Sequence, residues 1–174
     1  MHGFIRTTNI KINMELKISH PFWQVVGLGA LAGMRSTSAP LIASHILSHH
    51  QLKKPDHSSL RLMQSKNVAL VLKILAVGEI IGDKLPSAPN RIKPTSLGFR
   101  MLSGALAGAC VYKATGDKAA IGALIGGAVA FASTFGSYFL RKGTVKTSHV
   151  IDPIVGAIED ALVIGSGIEL SNAA

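Results

Sequence analysis

Acidic side chains are scarce in this chain, with nine Asp and Glu against 18 Lys and Arg in 174 residues. Aromatics are few as well, at 5% with a single Trp, and they do not cluster. The stacking surfaces and motifs of nucleic-acid binders are therefore missing, and no nucleic-acid partner is expected despite a formal charge of +9. Cys110 is the only cysteine, which excludes an internal disulfide and leaves a small packing residue in a Gly/Ala-rich stretch. There is no phosphate-cradling glycine loop of Walker type, no zinc-protease His-Glu pattern and no nucleophile-elbow serine. His45 and His49 stand one helical turn apart, but no nearby carboxylate or cysteine completes a metal site, and a solvated segment end accounts for them. Neither an enzyme nor a cofactor or metal is expected.

What the chain does have is apolar blocks. Hydrophobic residues make up 48% and the mean hydropathy is +0.38. The run Ala119–Leu140 holds no charge and is long enough to cross a bilayer, which takes about 20 residues. Further apolar stretches cover Phe22–Met34, Leu41–Leu47, Asn67–Asp83, Leu97–Tyr112 and Val150–Leu170, with Lys and Arg mainly at their ends. This pattern predicts an all-α fold: a polytopic transmembrane helical bundle of five to six membrane segments, with the lipid bilayer as partner. Residues 1–20 read as a polar N-terminal arm without an apolar core of signal-peptide type, and 21–170 as a single integral membrane domain. Pro40 disfavours helix at Ala39, so a broken first segment is expected near Arg35–Pro40. Thr115-Gly116-Asp117 reads as the turn of an antiparallel hairpin.

The pentapeptide Gly29-Ala-Leu-Ala-Gly33 recurs as Gly104-Ala-Leu-Ala-Gly108, and Glu79/Asp83 is loosely echoed by Glu159/Asp160. These suggest an internal repeat with halves at about 21–85 and 97–168, inverted if each half has three segments, or a coincidence among Gly/Ala-rich helices. Small residues one turn apart allow close helix contact, and four such pairs occur: Gly29/Gly33, Gly78/Gly82, Gly104/Gly108 and Gly122/Gly126. They serve either packing within the bundle or a homo-oligomer through glycine-rich faces.

Five of the nine carboxylates lie in apolar stretches: Glu79, Asp83, Asp152, Glu159 and Asp160. Glu79 and Asp83 share one helix face, and two such carboxylates want a cation. That cation is either a bound proton or metal ion, or a permanent partner among Arg100, Arg35 and Lys73. Asp152 precedes Pro153 and suits an N-cap. Glu159 lies mid-segment, two helical turns from Asp152 on the same face and with Asp160 turned about 100° away, and with Glu79 it is the foremost candidate for an interior functional carboxylate. Arg35 sits with three hydroxyls in Arg35-Ser-Thr-Ser-Ala-Pro40, either lining a polar cavity or reaching out of a short loop.

The glycine-rich segment ending Gly33-Met-Arg35-Ser resembles part of a known family pattern. So do Glu79-Ile-Ile-Gly-Asp83-Lys84-Leu-Pro86, Pro89-Asn90-Arg91, and Arg100 followed by Gly104-Ala-Leu-Ala-Gly108. Together, from about Phe22 to Leu170, they resemble the bacterial membrane family catalogued as domain of unknown function 4126, with Glu-x-x-x-Asp-Lys-x-Pro the most specific piece. The resemblance implies a small multi-pass protein of the bacterial inner (plasma) membrane and carries no catalytic roles. The leading expectation is a transporter or permeation protein for a small solute or ion. Its central site would be built from Glu79, Asp83, Glu159, Asp160, Arg35 and Arg100. The alternative is a non-transporting membrane scaffold or assembly subunit in which the same residues form fixed salt bridges.

Overall fold

The computed structural model describes residues 20–49, 60, 63–82, 92–148 and 152–173, with the backbone alone at 49, 82, 146–148, 152 and 153. Six long helices follow in order: α1 (Pro21–Met34), α2 (Ser38–His49), α3 (Lys66–Gly82), α4 (Pro94–Ala114), α5 (Ala119–Ser148) and α6 (Asp152–Asn172). Proline opens α1 and α4 at the first turn, where its missing N–H costs no intrahelical bond. Between α4 and α5 the chain turns at Gly116, whose φ of +86° suits a residue without a Cβ. Asp117 N–H closes this turn on the Tyr112 carbonyl at 2.8 Å.

The centre of the bundle is a three-helix contact of α1, α4 and α5. Gly108 faces Gly122 and Gly104 faces Gly126, so closely that a Cβ on any of the four would run into the opposite glycine's carbonyl oxygen. The α1 copy of the repeated pentapeptide lies on the same stretch of α5. A Cβ on Gly29 would stand 2.8 Å from the Gly126 carbonyl, and one on Gly33 2.6 Å from that of Ala130. Residue numbers rise together along α1 and α5 but oppositely along α4 and α5, so the two pentapeptides approach α5 antiparallel to each other. Side chains from α1, α2, α4 and α5 fill the core, including Val25, Leu28, Ala32, Ala39, Ile46, Val111 and Ala130. A smaller cluster joins Leu47, Leu60, Met63 and Cys110.

This architecture corrects the hydropathy reading. Among the described residues, one helix is long and apolar enough to cross a bilayer: α5, over Ala119–Val145. Helix α1 is apolar, but its 14 residues span only about 21 Å, and α2 has 12. Helix α3 interrupts its 17 residues with Lys73 and Glu79. Helices α4 and α6 reach 21 residues, yet Arg100 and Lys113 lie in α4 and four carboxylates in α6. A hydropathy scan cannot tell a lipid-facing run from a bundle core, and here Val25, Leu28, Ala32, Ile46 and Val111 spend their apolar surface on one another. The transmembrane bundle of five to six segments is thus replaced by an all-α bundle with, among the described residues, six long helices, one of them of spanning length. With it go the multi-pass inner-membrane location, the bilayer as surrounding partner, the transporter or permeation role, and the membrane scaffold or assembly subunit. The glycine-faced homo-oligomer is corrected too, because Gly29, Gly33, Gly104, Gly108, Gly122 and Gly126 are occupied inside the chain. Gly78 stands open, with nothing within 4 Å of a Cβ. The side-chain space at Gly82 lies outside the described residues.

Candidate functional site

A polar corner forms where α1 stops and α2 begins. Arg35 is extended (φ −142°, ψ 122°), and its N–H still bonds the Leu31 carbonyl at 2.8 Å. The break falls at Arg35–Thr37 rather than at Ala39. Pro40 lies within the first turn of α2, where an amide would have no intrahelical partner anyway. A break exposes carbonyls at the end of α1 and amides at the start of α2, and these must find partners when buried.

Two other helices supply them. From α4, Arg100 donates through Nη1 to the carbonyls of Gly33 and Met34 at 2.6 and 2.7 Å. Ser103 Oγ, also on α4, donates to the Ser36 carbonyl. From α3, Glu79 accepts the N–H and hydroxyl of Ser36 at Oε1 (2.9 and 2.8 Å) and those of Thr37 at Oε2 (3.0 and 2.6 Å). A cation therefore meets the negative end of the α1 dipole and an anion the positive end of the α2 dipole, an arrangement favourable at both ends. Ser38 Oγ closes the corner on the carbonyls of Leu31 and Arg35. Arg35 turns towards α6, where Nε donates to Asp160 Oδ1 at 2.7 Å and Nη2 pairs with the same oxygen.

Burial raises the pKa of Glu79, but the hydrogen bonds from Thr37 and Ser36 outweigh it and hold the carboxyl below its ordinary 4.5. Glu79 is therefore ionised at neutral pH and fully engaged. Of the six charged residues expected to share a centre, the structure brings Arg35, Glu79, Arg100 and Asp160 to this corner. Glu159 is elsewhere, 3.5 Å from Arg141 of α5. Asp83 lies outside the described residues, as do the side chains of Asp152 and His49. Among the described residues, no group of three or more His, Cys, Asp or Glu could hold a metal ion.

Beside the corner runs a groove between α2, α3 and α6, with a volume of about 630 Å³. Leu41 and Ile42 line it from α2, Ala76 and Ile80 from α3, and Val163, Ile164 and Ile168 from α6. The Arg35–Asp160 pair lies at its α2 N-terminal end, and His45, Ser48, Ser171 and Asn172 lie towards the other. Lys73 reaches it from α3. Sequence reasoning missed this groove. Its trace was the helical spacing of Ala69, Lys73, Ala76 and Ile80, matched by Asp160, Val163, Ile164, Gly167, Ile168 and Ser171.

Comparison with protein families matches residues 23–169 to the family described as Domain of unknown function (DUF4126). The chain belongs to that family. No curated protein and no solved structure matches it. The pieces that carried the family resemblance now have locations: Arg35 and Ser36 at the break, Glu79 on the amides of Ser36 and Thr37, Arg100 on the carbonyls of Gly33 and Met34.

Proposed function

We propose that this protein is a binding protein that takes a small, elongated, mainly apolar molecule into the groove between α2, α3 and α6. The observation that carries this is the lining: an apolar trough of about 630 Å³ with a few polar groups at its ends and edge, within the size range of small-molecule sites. Supporting binding over catalysis, the carboxylates beside the trough are committed. Glu79 accepts four hydrogen bonds and Asp160 is paired with Arg35, so neither is poised to transfer a proton.

Titration with N-phenyl-1-naphthylamine, a neutral fluorophore that brightens in apolar surroundings, tests the reading. Saturable binding at one site per chain is expected, and Ala76→Trp and Ala69→Trp, which fill the trough from α3, should remove it while keeping the wild-type melting temperature. Equal binding by variants that melt like the wild type would overturn the groove as the site.

A further inference from the structure

Resting on that reading, we infer that the groove's ligand is a single-tailed amphiphile with an anionic head, a carboxylate or phosphate monoester, which the Lys73 ammonium receives while the tail lies along α2. Among the Lys, Arg, Asp and Glu that line the trough, Arg35 and Asp160 neutralise each other. Among the described residues, the ammonium of Lys73 is left uncompensated. Lys73 is exposed, and the positions three and four residues away on its own helix are Ala69, Leu70, Ala76 and Val77, none of which can answer its charge. Glu79 is committed to Ser36 and Thr37. A lone cation on an otherwise apolar wall selects by charge, because a negative head gains a charge-assisted contact there and a neutral one does not.

The tail's place follows from the register of the walls. Along α2 the lining runs from Thr37 to Ser48, a rise of roughly 16 Å, so an extended alkyl chain fits lengthwise. Ile42 against Gly167 marks where α2 and α6 meet at the floor of the trough, since a Cβ on Gly167 would lie 2.7 Å from Ile42 Cδ1. Helix α3 forms the opposite wall. Glu79 at Thr37 fixes the register of α3 against α2 and puts Lys73 further along the trough than the Arg35–Asp160 pair. The head would therefore sit part-way along the trough at its α3 edge, away from the buried pair.

Calorimetric titration of the full chain with dodecanoate, dodecyl phosphate and dodecanol tests this, the two anions kept below their micelle concentrations and the alcohol below its solubility limit. Dodecanoate or dodecyl phosphate should bind roughly tenfold more tightly than dodecanol, and the order of the two shows which anion is preferred. The advantage should shrink with added salt and disappear in Lys73→Met, which keeps the apolar stem and should bind dodecanol as the wild type does. Lys73→Arg should retain it. If the anions bind no better than dodecanol, or if their advantage survives Lys73→Met, the inference is overturned while naphthylamine binding leaves the groove intact as a site. If no alkyl compound binds and naphthylamine does not either, the groove reading itself falls.

Discussion

Glu79 and Thr37 meet twice: the Thr37 N–H bonds one carboxylate oxygen at 3.0 Å, and the Thr37 hydroxyl bonds the same oxygen at 2.6 Å. The other oxygen repeats this with Ser36. A carboxylate from α3 thus serves as the N-terminal cap of α2. Glu79→Gln should cost about 2 kcal/mol or more, because the amide turns a donor towards groups that are themselves donors and the charge facing the helix terminus is lost. Denaturant unfolding of the two proteins measures it, and equal midpoints would refute the capping role.

The same cap sets a pH dependence. The folded-state pKa of Glu79 lies below its ordinary 4.5, so its contribution is complete above that value and is lost as pH falls through the lower, folded-state value. Stability should drop in acid more steeply for the wild type than for Glu79→Gln. Parallel stability–pH curves below pH 4.5 would contradict this.

Asp160→Asn should be more damaging than removing the whole Arg35–Asp160 pair. Side-chain exposures of 7% and 12% make this a buried pair, and removing one partner of such a pair is expected to cost about 3–5 kcal/mol. The double variant Arg35→Met/Asp160→Leu should recover most of that. A double-mutant cycle by chemical denaturation checks it, and additive losses would show that the two residues act separately.

Gly108→Ala and Gly78→Ala should differ in sign. At Gly108 a methyl group meets the Gly122 backbone, which cannot yield without parting α4 from α5. At Gly78 it meets nothing within 4 Å, and the substitution should add up to about 1 kcal/mol of helix propensity. Melting temperatures would settle the comparison, and a stable Gly108→Ala protein would show that the interface is looser than described.

How much of this could be read from sequence varies with how local the cause is. The turn at Gly116 and the unbroken run from Ala119 follow from residues within a few positions of each other. So does the interruption after Met34, although Pro40 drew the expected break towards Ala39. The glycine spacing marked close contact in general but not the partner, and Gly78 has the same spacing to Gly82 as Gly104 has to Gly108 while meeting nothing within 4 Å among the described residues. Choosing between Glu159 and Asp160 required knowing which face of α6 meets Arg35, and that rotation is set by Gly167 on Ile42 and Leu170 on Gly27. Hydropathy overcounts the membrane segments for a related reason. Apolar composition records that a side chain leaves water, not whether lipid or a neighbouring helix receives it.

The corner between α1 and α2 also has a consequence in time. It is built from residues that are synthesised before their partners, which lie 43, 67 and 125 residues further on, at Glu79, Arg100 and Asp160. Contacts of such separation carry a large loop-closure cost before any of them can form. α1 and α2 can coil early, but the bend between them has no settled angle until α6 has docked. Substitutions at Glu79 and Asp160 should then accelerate unfolding while leaving the refolding rate nearly unchanged, a division that stopped-flow measurements in both directions would read. Slower refolding in either variant would place the corner among the first parts of the fold to form.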